Sequence, residues 1–412
     1  MKKALIVMIV LAVLVASVLV AFKKISNETL IRITKTDSLN SLLNEPSKII
    51  FVTNNGIYAS DKDGNKTERI AVINSKLSNQ LHGVYNVKIN GISPDSKWLI
   101  LSFDPLYDST KSKGFLYALN IQMLKLIKVE EYYLGKSVRF SFDCGNDKLL
   151  IATSGLSDFF ERVYCIDLNA GKVSNLLDSS KNSEEKAYSF DISPDKKYIV
   201  YAGGNVDVFP DNRIALYMKN FETGEVKMLV KPPNQDQNLG VDYIQKVGFI
   251  NSGKGVLYLR VISKQSGEQT AKWYIVDLEG KSKEIPAEEA IKFFNNQEEL
   301  RQKMIKTLNK SVNIKGVLDK CKKIAFTILE SEEKLYICND DLSNIVFTGI
   351  TNPNSVKFSP DSCKFTCEVL SHTQASTTPT SIWYLIDATT NKKINLNELF
   401  KVEVKDAIYI GE

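Results

Sequence analysis

Histidine is nearly absent from this chain of 412 residues, which carries only His82 and His372. A histidine-rich metal site or a Ser-His-Asp triad needs better provision than that. No Gly-x-Ser-x-Gly elbow occurs, so the nucleophile turn of an α/β-hydrolase is missing too. Nor is there a strong excess of one charge. The 53 basic and 48 acidic residues give a net +5 with the signs mixed, and no basic stripe that would track phosphates stands out. Nucleic acid is therefore not an expected partner, and neither a cofactor nor a metal is expected. Asp61-Lys62-Asp63-Gly64-Asn65 looks like the start of a calcium loop. It lacks the later bidentate Glu and reads instead as an Asp-Gly hairpin turn. Paired carboxylates on different loops remain one route to glycosidase chemistry.

Cysteine is sparse, with six residues, and spacing argues against local bridges. Cys363 and Cys367 lie four apart on one extended run, about 13 Å at strand rise, whereas a disulfide needs Cα atoms within about 7 Å. Cys144 and Cys165 read as several rungs apart in one repeat, and Cys321 and Cys338 as out of register. All six are expected to be free thiols, Cys338 with Cys367 being the one bridge that distance allows.

One long apolar run exists. Lys2 and Lys3 precede uncharged Ala4 to Phe22, and Lys23 and Lys24 follow. Nineteen helical residues span roughly 30 Å, the thickness of a bilayer core. A cleaved signal peptide has a shorter apolar stretch and a small-x-small site. Here Val15-Ala16-Ser17 lies inside the run and Leu19-Val20-Ala21 is poor. The preferred reading is a retained single-pass anchor over residues 1–24, a linker over 25–46, and a domain outside the cytoplasm from 47 to 412. Secretion after cleavage is the alternative.

What fills the rest of the chain is a repeat. A Lys followed by a β-rich apolar run begins at Lys48, Lys97, Lys148, Lys197, Lys254, Lys323 and Lys364. A Tyr, two residues, then Asp or Asn occurs at Tyr58/Asp61, Tyr117/Asn120, Tyr164/Asp167, Tyr217/Asn220, Tyr274/Asp277, Tyr336/Asn339 and Tyr384/Asp387. The two patterns interleave. Before most Lys runs sits a turn: Ser93-Pro94-Asp95, Ser193-Pro194-Asp195, Ser359-Pro360-Asp361 and the altered Ser141-Phe142-Asp143. Pro presets the turn and Asp bonds nearby N–H groups. Each unit reads as four antiparallel strands, the apolar one buried on both faces. Such units stacked radially make an all-β propeller, here with seven four-stranded blades.

The Ser-Pro-Asp turn, the Lys with its apolar strand and the Tyr-x-x-Asp resemble the TolB-like propeller repeats. These also occur in the propeller domain of prolyl oligopeptidase-type proteases. The resemblance covers roughly residues 47 to 400. It implies the fold and not the hydrolase. Gly-His and Trp-Asp pairs are absent, so the chain does not resemble a WD-repeat propeller.

The first copy, Ser47 to Val72, lacks an obvious first strand. Lys401 to Ile410 is expected to supply it and close the ring, with Leu30 to Thr34 as the alternative donor. Strand order then puts the connections between strands two and three, and between blades, on one loop-bearing face. Binding residues favour loops on a rigid scaffold. The candidates there are Tyr107, Asp108, Phe159, Phe160, Phe209, Asp211 and His372, and no catalytic residue is expected. The insertion over residues 286–310 has few β-branched residues. It reads as one or two helices covering this face through Ile291, Phe294, Ile305 and Leu308. The expected function is a membrane-anchored, non-enzymatic module binding a protein or glycan. The alternative is an envelope hydrolase or lyase with carboxylates in the channel.

Overall fold

The computed structural model describes residues 31–73, 85–105, 113–133, 138–154, 159–204, 214–231, 239–250, 253–264, 268–291, 293, 296–360, 362–371 and 379–411. The chain opens with β1 (Ile31–Ile33) and α1 (Asp37–Leu43), whose N-cap Thr36 accepts from the Leu39 N–H. Then come β2 (Ser47–Thr53), β3 (Gly56–Asp61) and β4 (Thr67–Ile73). The next meander is β5 (Tyr85–Ile92), β6 (Trp98–Pro105), β7 (Lys113–Asn120) and β8 (Lys125–Tyr133). It is followed by β9 (Val138–Ser141), β10 (Lys148–Ser154), β11 (Phe160–Asp167) and β12 (Val173–Asp178). After that come β13 (Ala187–Ile192), β14 (Tyr198–Gly203), β15 (Ala215–Asn220) and β16 (Val226–Val230).

β17 (Leu239–Phe249), β18 (Gly255–Lys264), β19 (Gln269–Asp277) and β20 (Ser282–Ile285) precede helices α2 (Ala287–Ile291) and α3 (Asn296–Leu308). Two further meanders follow: β21 (Val312–Leu318), β22 (Lys323–Leu329), β23 (Glu333–Asn339), β24 (Val346–Thr351), then β25 (Pro353–Phe358), β26 (Lys364–Ser371), β27 (Thr380–Asp387), β28 (Lys393–Asn395). The chain ends on α4 (Leu396–Phe400) and β29 (Asp406–Gly411).

Every pairing within a meander is antiparallel and sequential, and first strands of several neighbouring meanders touch, as β13 with β17, β21 with β25, β25 with β29 and β29 with β5. This is a β-propeller. β9–β12 and β13–β16 merge into one eight-stranded sheet through the single pair Phe160↔Ala187. β29 lies beside β2, from Asp406↔Val52 to Gly411↔Ser47, and takes the innermost place that the first copy lacks. The alternative donor, Leu30 to Thr34, does not take that place, because β1 pairs with β4 as a fifth, outermost strand.

The repeated residues have local work. The Tyr of each Tyr-x-x-Asp pairs across the hairpin with a residue of the apolar strand, as in Phe51↔Tyr58, Tyr201↔Tyr217 and Phe326↔Tyr336, and those rings stack. The closing Asp or Asn accepts turn N–H groups: Asp167 Oδ1 from Asn169 and Ala170, Asn220 Oδ1 from Glu222 and Thr223, Asp387 Oδ1 from Thr389 and Thr390. Asp61 takes the Asn65 and Lys66 N–H groups, with Gly64 at φ +78°, so the calcium-like run is a turn. In the Ser-Pro-Asp turns, the Ser93 and Ser193 hydroxyls donate to Asp95 and Asp195 and accept from the first strand N–H groups that follow.

Apolar side chains fill the seams. Ile50, Val52, Leu99 and Leu101 belong to one cluster, and Trp98, Ile100, Leu149 and Ile151 to the next. One seam is built differently. The face of β17–β20 carrying Leu257, Trp273 and Ile275 packs on Ala290 and Phe293 of the helical insertion. The face of β21–β24 carrying Ile324, Phe326 and Ile328 packs on Leu300, Met304, Ile305 and Leu308 of α3. Arg301 Nε also donates to the Val312 carbonyl at 2.9 Å. The insertion is thus a wedge between two meanders and not a cover over the loop-bearing face. Of the residues expected to find cover, Ile305 and Leu308 pack on a strand face, and Phe294 lies outside the described residues.

The cysteine expectation is also corrected. Cys144 and Cys165 form a disulfide, with Cα atoms 6.8 Å apart, while Cys321, Cys338, Cys363 and Cys367 are free. Ser141 and Cys165 flank the same residue, Leu150, across three strands. The turn after Ser141 therefore folds back beside Cys165, which a rung count along a single hairpin misses. The bridge spans 21 residues, and the chain-entropy estimate for such a loop is about 3 kcal/mol. Thiol counting on denatured, unreduced protein should find four reactive groups. Reductant should lower the unfolding midpoint of the native chain but not of Cys165→Ser; six reactive thiols, or equal sensitivity of both, would contradict the bridge.

Candidate functional site

An innermost strand has one free edge, and its N–H groups there need acceptors. In this chain a carboxylate of the preceding meander provides one at two places. Asp191 Oδ2 accepts from the Phe249 N–H and Asp406 Oδ2 from the Ile89 N–H, both at 2.7 Å. Burial pushes the Asp191 carboxyl above the usual range, the nearby Asp143 charge adding to it and its hydrogen bonds opposing.

Asp406 has a second partner. Lys357 Nζ, from the innermost strand of β25–β28, donates to Asp406 Oδ1 and to the Ile89 carbonyl. The ammonium also sits 5.1 Å from the Trp383 ring centroid. Three neighbouring meanders are tied by this one cluster. Burial drives the Asp406 carboxyl upward and the Lys357 ammonium downward, and each partner's charge works against that shift.

Around the cluster lies a cavity of about 690 Å³. Its wall includes Thr53 and Asn54 of the β2–β3 turn, Lys405 just before β29, Asn86 near the start of β5, and Glu368 and Ser381 near the β26–β27 connection. These positions place it on the loop-bearing face. Asn86, Lys88 and Asn90, alternating along β5, also line it. Glu368 accepts from Asn354 Nδ2 at 2.6 Å and from Ser381 Oγ at 2.5 Å. Asn90 is shared with a smaller cavity of about 220 Å³, where Tyr132 and Ser102 donate to Asp104. Both carboxylates of the larger cavity are thus engaged by fixed donors.

The candidates read from the sequence fare differently. Tyr107, Asp108, Phe209, Asp211 and His372 lie outside the described residues. Phe160 is not an exposed anchor. It is 6% exposed, beneath the Arg139 guanidinium at 5.0 Å and edge-on to Phe190. Phe159 is half-buried against Tyr188, with Lys186 over its ring. Both fold back onto their own seam. The cavity residues were missed because they sit on strands and carry no repeat motif. The polar alternation Asn86-Lys88-Asn90, on the strand before the Ser93-Pro94-Asp95 turn, was the available signal.

Among the described residues, no helix is long and apolar enough to cross a membrane, and no cluster of His, Cys, Asp or Glu is suited to a metal ion. The expected anchor, residues 1–24, lies outside them.

No family model and no curated protein matches the chain. Similar solved structures include a prolyl endopeptidase, at 10% identity and TM-score 0.46, over 76% of this chain and 50% of that one. The β-propeller domain of the Trilobed protease from Pyrococcus furiosus is 14% identical, TM-score 0.39, over 82% of this chain and 86% of that domain. A putative 6-phosphogluconolactonase from Bacteroides uniformis is 11% identical, TM-score 0.36, over 89% of this chain and 100% of that one. The chain spans about half the length of the prolyl endopeptidase it matches.

A double-mutant cycle tests the central ion pair. Asp406→Ala strands a largely buried ammonium, and its expected cost is about 3–5 kcal/mol. Replacing both partners, Lys357→Met with Asp406→Leu, should cost less than Asp406→Ala alone in urea unfolding. Strict additivity of the single effects would mean that the two groups do not act as a pair.

Proposed function

We propose that this chain is a seven-bladed β-propeller acting as a non-enzymatic binding module, held outside the cytoplasm by residues 1–24. Its ligand enters the larger cavity of the loop-bearing face. Each four-stranded meander counts as one blade in this reading, with β9–β12 and β13–β16 as separate blades. The observation that carries it is the state of the cavity's polar groups. Glu368 and Asp406 are locked into hydrogen bonds, as positioning groups are, while Lys88, Asn86 and Asn90 face the space without a partner among the described residues. A volume of about 690 Å³ suits a small molecule or the end of a larger one. The apolar run Ala4 to Phe22 supports the anchor.

Screening the full-length chain against arrayed glycans and peptides tests this. Asn86→Trp fills the cavity and should weaken any genuine ligand at least tenfold. Lys66→Ala, in the turn at the opposite face, should change nothing. A ligand indifferent to Asn86→Trp would remove the cavity from the account. Consumption of the ligand would favour the hydrolase or lyase reading.

A further inference from the structure

The cavity wall is selective in what it leaves free. Of its apolar lining residues, Val52, Val87, Ile89 and Trp383 are all 5% exposed or less, while Ile73 and Val356 are half-buried. What faces the space is mostly polar. Asn54, Lys88 and Asn90 are exposed, and Asn86 is half-buried. A large apolar peptide side chain would find only the edges of Ile73 and Val356 here, whereas a hydroxyl-rich ligand would find amides able both to donate and to accept.

Charge narrows the class further. Three lysines line the cavity, Lys88, Lys357 and Lys405, against two carboxylates, Glu368 and Asp406. Lys357 is committed to Asp406, and Lys405 to Glu403 at 2.5 Å. Lys88 has no acidic partner among the described residues, and its three ammonium donors are open. The unmet requirement of the site is therefore an acceptor, a negative charge for Lys88.

We infer that the cavity binds a carboxylate-bearing saccharide, with its carboxylate on Lys88 and its hydroxyls on Asn86, Asn90 and Asn54. This rests on the cavity being the ligand site, and it adds the chemistry of the ligand. Glu368 shapes the wall and repels a second negative charge beside it, which favours one carboxylate per bound unit over a run of them.

Calorimetric titration of the full-length chain tests the class with three probes: a hyaluronan tetrasaccharide, its carboxyl-reduced form, and a hexapeptide of glutamate. The tetrasaccharide should bind, and Lys88→Ala should weaken it about tenfold, the effect of losing about 1.4 kcal/mol. The carboxyl-reduced form should bind the native chain and Lys88→Ala equally. Binding of the peptide in place of the saccharide, or equal affinity for both saccharide forms in the native chain, overturns the inference. If neither saccharide binds but some other ligand is excluded by Asn86→Trp, the ligand class alone falls. If Asn86→Trp excludes nothing, the cavity reading falls with it.

Discussion

The pairing of β29 with β2 is the contact on which the ring depends. A chain that lays down its meanders in sequence order begins with an exposed inner edge and ends with an exposed seam. Here the last strand fills the first strand's place. It contributes six residues, all buried, and Ala407, Ile408, Tyr409 and Ile410 sit in clusters on both sides of the sheet. Each such large side chain is worth about 1.5–3 kcal/mol on burial, and the edge it covers would otherwise invite aggregation. The cost of joining the two ends of so long a chain is only logarithmic in loop length, so this contact needs no special affinity to win.

The same strand organises the cavity. Asp406, its first residue, reaches across the free edge of β5 and holds Lys357 of the opposite neighbour. Ring closure and the walls of the candidate site are thus one structure. A carboxylate serving a neighbour's edge N–H recurs at Asp191 without a lysine ion pair among the described residues. The added cation, not the carboxylate, distinguishes the place where the chain closes.

Much of the fold was legible because the repeated residues act within a few positions of themselves. A Ser-Pro-Asp turn or an Asx turn closes on its own backbone, so its sequence is its structure. The closing strand was legible by subtraction, from a first copy that was one strand short. The site was not, because Lys88, Lys357, Glu368 and Asp406 meet from three meanders and each looks ordinary on its own strand. The disulfide and the helical wedge failed for a related reason. Cys144 reaches Cys165 through the back-fold of a turn, and α3 finds its surface on a strand face that the repeat pattern assigned to another blade. Register across strands, unlike spacing along one, has to be seen.

Native-state hydrogen exchange of the full-length chain tests the closure most directly. The account predicts that the amides of Ile408 and Ile410 are protected as strongly as those of Ile49 and Phe51, and that all four exchange together as one cooperative unit at the global unfolding free energy. Early, independent exchange of the 406–411 amides, with the β2 amides still protected, would contradict it.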